Sequence, residues 1–221
     1  MPRSLTFFVL GSACGYLAWQ TGGIGGLLWL SGAWSFLGVS IAYALHRPSL
    51  FGKRPNGSMN PALWLLWPTY FLLTWGVWFL ARLFPSYPHA QEIVPGLWLG
   101  AWPDRKGRLP VNTMLVVDLT AEFPRRVTTE HYLCLATLDM EAPTPAQLAE
   151  GVAAIQAATG TVYVHCAAGH GRSATVVAAV LLARGIVQTP TEAEAFLRRI
   201  RSGVKLTPPQ RYLLESATIR P

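Results

Sequence analysis

Between Val164 and Ser173 the chain reads Val164-His165-Cys166-Ala167-Ala168-Gly169-His170-Gly171-Arg172-Ser173, which sets a thiol and a guanidinium at the two ends of a five-residue loop with two glycines. A loop of that length can curl so that successive backbone N–H groups point inward, forming an anion nest at a helix N-terminus. Gly169 and Gly171 permit backbone angles that other residues resist. The same positive field favours thiolate, so Cys166 is expected to titrate below an ordinary cysteine. Arg172, in the first turn of the following helix, offers a planar fork that can hold two phosphate oxygens. Ser173 is placed to hydrogen-bond the sulfur. The chemistry expected is nucleophilic attack on phosphorus by Cys166, with Ala167, Ala168, Gly169, His170, Gly171 and Arg172 as the phosphate-binding loop.

The elements that must position this loop belong to an α/β domain beginning near Pro88. Leu97–Leu99, 112–119, His131–Thr137 and Thr161–His165 read as strands, the second so continuously apolar that both its faces should be buried. Thr144-Pro145-Ala146-Gln147 carries an N-cap, a proline at the first helical position and Gln three residues after the cap, so a helix should run to about Ala158. Thr189-Pro190-Thr191-Glu192 repeats the signal for a helix ending near Gly203, and helices are also expected over Arg172–Arg184 and Pro208–Ala217. Strands alternating with capped helices predict a mixed or largely parallel sheet covered on both faces.

Residues 1–87 have a different composition. They hold seven of the nine tryptophans and no Asp or Glu, with Arg3, Arg47, Lys53, Arg54 and Arg82 as their charges. This stretch therefore carries +5 of the chain's net +7, and the high pI points to a membrane surface rather than nucleic acid. Leu5–Trp19 is marginally long enough to span a bilayer and Gly22–Leu45 comfortably so, separated so briefly that a tight helical hairpin is expected. Gly11 with Gly15, and Gly22 with Gly26, have the small-xxx-small spacing that lets helices approach closely. The run Gly22-Gly23-Ile24-Gly25-Gly26 lacks a preceding strand, which argues against a nucleotide loop. A signal peptide over residues 1–20 is the competitor to retained helices, but no small-residue cleavage site precedes the next apolar segment.

The basic loop His46–Asn60 is expected on the cytoplasmic side, and Ala62–Phe84 is a third apolar segment interrupted by Pro68. Three full spans from a cytoplasmic amino terminus would put the thiol outside, in an oxidising compartment. Two arrangements reconcile topology with chemistry: a third segment that enters one leaflet and returns, bent near Pro68, which is the one expected, or a first segment that does not span. The cysteines, Cys14, Cys134 and Cys166, match neither a disulfide scaffold nor a zinc site. No metal and no cofactor is expected.

The segment His165-Cys166 through Arg172-Ser173 resembles the His-Cys-x5-Arg-Ser signature of the protein tyrosine phosphatase superfamily, in its compact dual-specificity branch. Ala136-Thr137-Leu138-Asp139-Met140, Pro143-Thr144, Gly151-Val152, Val162-Tyr163-Val164 and Arg172-Ser173-Ala174-Thr175 are similar to the mitochondrial phosphatidylglycerophosphate phosphatase subgroup, over about residues 94–215. The resemblance implies a compact dual-specificity-phosphatase-like fold, with a central mixed sheet flanked by helices. It also implies a phosphocysteine intermediate and a general acid, for which Asp139 matches the family position, 27 residues before Cys166. Asp118 and Glu141 are its competitors, Asp118 reading rather as the close of a buried strand. His165 is expected to brace the loop, and His170 to face either substrate or solvent. Cys134 is expected in the core. Glu122 falls where the subgroup has acidic residues beside the pocket, while Arg125 and Arg126 are candidates for an anionic headgroup or for a solvated turn. Many lipid-directed members carry a basic residue just after the cysteine; Ala167 and Ala168 stand here, which lowers the expectation for polyphosphoinositides.

The expected organisation is an all-α membrane region over 1–87 and a cysteine-dependent phosphatase domain over 88–221. The expected protein is integral to the inner (plasma) membrane, its domain on the cytoplasmic face, with membrane lipids as partners. The leading substrate is a phospholipid headgroup such as phosphatidylglycerophosphate; the alternatives are a phosphoprotein substrate, or a catalytically silent phosphate-binding scaffold.

Overall fold

The computed structural model describes residues 2–83 and 88–218. Phe84, the expected end of the third apolar segment, and the expected boundary after residue 87 lie outside the described residues. The chain divides into two compact units, Met1–Arg54 with Met59–Pro85, and Pro55–Ser58 with Ser86–Pro221.

In the first unit, α1 (Arg3–Thr21) and α2 (Gly23–Ala44) form the expected hairpin, broken at Gly22, whose φ of 57° lies in the left-handed region. A methyl group at Gly11 would come within 2.8 Å of Leu37 Cγ, and one at Gly26 within 2.9 Å of the Ala18 carbonyl, so these two positions let the helices approach. Gly22 sits in the turn itself, so it does not pair with Gly26 as a packing position. The third apolar segment is two helices, α3 (Pro61–Leu66) and α4 (Pro68–Leu83). Trp67 leaves helical geometry at φ −124°, ψ 48°, because a residue before proline is pushed out of the α region. Among the described residues, α2 alone is long and apolar enough to cross a membrane. At about 1.5 Å per residue the 16 residues of α4 fall short of a hydrocarbon core about 30 Å thick.

The second unit is built on a five-stranded mixed sheet in the order β1-β2-β5-β3-β4. β1 (Ala90–Val94) runs antiparallel to β2 (Leu97–Ala101), while β2, β5 (Thr161–Cys166), β3 (Thr113–Thr120) and β4 (His131–Thr137) pair in parallel. β1 is an edge strand that sequence patterning did not mark, since Gln91 and Glu92 interrupt its short apolar run; a turn at Gly96, φ 79°, joins it to β2.

The helices are α5 (Pro145–Ala157), α6 (Arg172–Ala183), α7 (Pro190–Ile200) and α8 (Pro208–Thr218). α5 starts with a full capping box between Thr144 and Gln147, and Thr189 caps α7 at the Glu192 N–H. α7 ends before the expected Gly203, because Arg201 turns to φ −126°, ψ 91°. Leu115, Val117 and Leu119 of β3 share one core with Val162 and Val164 of β5, Ile155 of α5, Val177 and Leu181 of α6, Leu197 of α7 and Leu214 of α8. Alternation sends Val116, Asp118, Tyr163 and His165 to the opposite face, where they too are buried. All four helices thus join the core on one sheet face, rather than dividing between the two.

Parallel pairing brings the carboxyl ends of β2, β3, β4 and β5 to one edge of the sheet. In an open α/β sheet that edge is where ligands bind.

Candidate active site

β5 ends at Cys166 and α6 begins at Arg172, so the intervening loop is the turn from a buried strand to a helix N-terminus. Gly169 adopts φ 75°, and a Cβ there would collide with the backbone of Gly100, on the neighbouring strand β2. Both facts require glycine at this position. Gly171 is the N-cap of α6, with φ −119° and ψ −83°.

The sulfur of Cys166 accepts hydrogen bonds from the Gly169 N–H at 3.3 Å and from the Ser173 hydroxyl at 3.2 Å. Burial works against its charged form, yet the Arg172 charge, the Ser173 hydroxyl and the Ser173 and His170 N–H groups together hold the thiol below its usual pKa.

Arg172 is buried, and its guanidinium is satisfied from three elements. Nη1 donates to Glu122 Oε2 at 2.9 Å, to the Thr137 carbonyl at 2.8 Å and to the Leu119 carbonyl at 3.3 Å. Nη2 donates to Glu122 Oε1 at 2.7 Å and meets Asp139 Oδ1 at 3.0 Å. Burial disfavours its charge, but Glu122 and Asp139 more than offset this and push its pKa well above the usual arginine value. Nε is left with no protein acceptor among the described residues, so it remains available to an oxyanion.

Three loops after three parallel strands therefore converge. Glu122 follows β3 and is buried, Asp139 follows β4 with its side chain 52% exposed, and Cys166 ends β5. A carboxyl open to solvent at the rim, beside the anion nest, is positioned to exchange protons with a bound ester.

The competitors for Asp139 are placed elsewhere. Asp118 lies on the opposite sheet face, accepts from Thr120 at 2.8 and 2.7 Å and from the Tyr132 hydroxyl at 2.6 Å, and stands 3.8 Å from His165 Nε2. Burial and that Asp118 carboxylate push the Tyr132 hydroxyl far above its usual pKa. Glu141 is held by its backbone, its carbonyl accepting from Gln210 Nε2 at 2.9 Å.

His165 is buried behind the loop, its ring Nδ1 3.4 Å from the Cys166 carbonyl. The His170 carbonyl accepts from the Lys205 N–H at 3.1 Å, and a Cβ on Gly203 would collide with the His170 ring, so that ring lies over the 203 turn. Arg125 folds onto its own loop, donating to the Val127 carbonyl at 2.8 Å and stacking 4.3 Å from the Tyr132 ring centre, an arrangement that leaves it poorly disposed to hold a headgroup. Arg126 is exposed and Cys134 half-buried.

Two residues at the site escaped sequence reasoning. Gln210 of α8 bonds the Glu141 carbonyl and the Thr207 N–H, and its amide lies 3.1 Å from where a Cβ on Gly171 would be. Arg201, just after α7, donates to the Gly169 and Ala168 carbonyls, each at 2.9 Å. Neither belongs to a local motif, and only the burial of polar side chains so far along the chain marks them.

A family model described as "PTP-SAK: Swiss Army Knife protein, DSP-PTPase phosphatase domain" matches residues 105–210. Phosphatidylglycerophosphatase and protein-tyrosine phosphatase 1 of Mus musculus is 42% identical over 87 residues, covering 38% of this chain and 45% of that protein, so the match spans less than half of the mouse protein's length. The crystal structure of PTPMT1 in complex with PI(5)P superposes with a TM-score of 0.51 at 32% identity, covering 58% of this chain and 93% of that one. A mutant form of Tk-PTP gives 0.54 at 27% identity, covering 60% and 96%.

Proposed function

Since this chain belongs to the dual-specificity branch of the protein tyrosine phosphatase superfamily, we propose that it is a membrane-anchored phosphomonoesterase working through a phosphocysteine, with a phospholipid headgroup such as phosphatidylglycerophosphate as substrate. The observation that carries the chemistry is the convergence of Cys166, Arg172 and Asp139 at one sheet edge.

In the first step the Cys166 thiolate attacks phosphorus and forms an S–P bond. The P–O bond to the leaving alkoxide breaks, and that oxygen takes a proton from the Asp139 carboxyl. Arg172 and the loop N–H groups hold the equatorial oxygens, where charge is spread in the transition state. In the second step water attacks the phosphocysteine and gives its proton to the Asp139 carboxylate. The S–P bond breaks, and Ser173 stabilises the departing thiolate through its 3.2 Å hydrogen bond.

Three features support a lipid substrate. The similar mouse protein is named for phosphatidylglycerophosphate, PTPMT1 has been solved with PI(5)P, and the chain carries helix α2, of membrane-spanning length and composition. Anchoring would hold the site among its substrates, raising their effective concentration without any new contact. Ala167 and Ala168 favour headgroups with a single phosphate, since no side chain there would pair with a second.

The test is a panel of lipid phosphates and phosphopeptides offered to the intact protein in detergent. Faster hydrolysis of dispersed phosphatidylglycerophosphate than of phosphotyrosine peptides is expected, and the reverse order would overturn the lipid assignment. Cys166→Ser should abolish turnover on every substrate while phosphate still binds.

A further inference from the structure

We propose that Arg201 is a positioning residue that turns two peptide planes of the phosphate loop so that their N–H groups face the Cys166 sulfur and, in turnover, the phosphoryl oxygens. The inference deepens the site just described and rests on Cys166 being its nucleophile.

The geometry is that of the trans peptide, whose N–H and C=O point in opposite directions across one plane. Arg201 Nη2 takes the Ala168 carbonyl and Nε takes the Gly169 carbonyl, each at 2.9 Å. The N–H groups of those same two planes belong to Gly169 and His170. The Gly169 N–H reaches the sulfur at 3.3 Å, and the His170 N–H is among the groups that lower the thiol's pKa. Pulling two carbonyls outward with one rigid fork thus aims two donors inward. The left-handed Gly169 between them, φ 75°, is the hinge that lets both carbonyls reach the same side chain.

Arg201 is itself fixed. It is 2% exposed, and its Nη1 donates to the Pro88 carbonyl at 2.8 Å and to Gln91 Oε1 at 3.1 Å. The Gln91 amide in turn donates to the Ile200 carbonyl. Lysine, with a single point of charge, cannot span both loop carbonyls and these acceptors at once.

The charged groups around the sulfur are Arg172 from α6, with Glu122 after β3 and Asp139 after β4 tied to it, and His165 precedes the cysteine on β5. Arg201 adds its own charge behind the loop, which Arg201→Lys keeps and Arg201→Met loses, so a shift of the sulfur's titration in Arg201→Lys reads the loop N–H groups.

The experiment measures the rate of iodoacetamide alkylation of Cys166 against pH in the intact chain, with the labelled peptide identified by mass spectrometry so that Cys14 and Cys134 do not contribute. Native protein is compared with Arg201→Met and Arg201→Lys, each checked for folding by circular dichroism. Arg201→Met should alkylate about tenfold more slowly at pH 6, with its titration moved upward, and Arg201→Lys should fall between the two. Inhibition by inorganic phosphate should weaken in parallel. If folded Arg201→Lys or Arg201→Met titrated as the native protein does, the positioning role would be wrong, even if either variant melted earlier. A native Cys166 that titrated like free cysteine would instead overturn the reading of the site itself.

Discussion

Arg172 meets Glu122 through both terminal nitrogens of its guanidinium, at 2.9 and 2.7 Å, with both side chains buried. The pair joins the start of α6 to the loop after β3 and leaves the arginine's Nε with no protein acceptor among the described residues. A buried charge pair of this kind adds little net stability over an apolar substitute, but losing one partner strands the other charge. Glu122→Ala should therefore cost about 3–5 kcal/mol in chemical denaturation. Glu122→Gln, which preserves the shape, should cost less and still weaken inhibition by inorganic phosphate. An unchanged denaturation midpoint in Glu122→Ala would mean that the pair does not hold the arginine.

Asp139 sits 3.0 Å from Arg172 yet is half-exposed, which suits the proposed role of a general acid that takes protons from water between steps. Asp139→Ala should slow lipid phosphates, with poor alkoxide leaving groups, by about 10²–10⁴-fold, the usual range for a lost general acid. Aryl phosphates, which leave without help, should suffer far less in their first step. Comparing kcat/KM for the two classes separates the outcomes, because equal losses would point to another acid.

The pH profile follows from the sulfur. With the thiol held below its usual value, thiolate forms at lower pH than in a free cysteine, so the acid limb of kcat/KM should lie correspondingly lower. Ser173→Ala removes one donor to the thiolate, so the limb should move to higher pH. On the proposed mechanism the same change also removes the donor to the departing sulfur, so kcat should fall. A stopped-flow burst with an aryl phosphate would expose the slowed second step.

Two left-handed glycines make a matched comparison. Gly169 and Gly185 have φ of 75° and 67°, but a Cβ on Gly169 would collide with the Gly100 backbone while one on Gly185 meets open space. Gly185→Ala should cost about 1–2 kcal/mol, the strain of a left-handed side chain alone. Gly169→Ala should cost more and also abolish phosphate binding, because strand and loop must separate. Thermal melting with and without phosphate measures both, and equal losses would remove the close approach from the explanation.

What the sequence determined by itself was local. An anion nest is made by seven consecutive residues, and their spacing, glycines and flanking strand and helix are all written in one stretch from Cys166 to Arg172. The capping box at Thr144 and the N-cap at Thr189 were legible for the same reason, since a helix start is decided within four residues. The edge strand β1 was not, because its pairing with β2 outweighs its weak pattern. The break in the third apolar segment was legible at Pro68, and the backbone leaves helical geometry one residue earlier, at Trp67, because a residue before proline is pushed out of the α region.

Tertiary structure alone decided how the loop is held. Glu122 lies 50 residues before Arg172, and Arg201 lies 32 residues after Gly169. Gln210 lies 69 residues after Glu141. No periodicity or spacing links such pairs; what links them is the parallel register that gathers strand ends at one edge, and the cost of burying a guanidinium or a carbonyl without a partner.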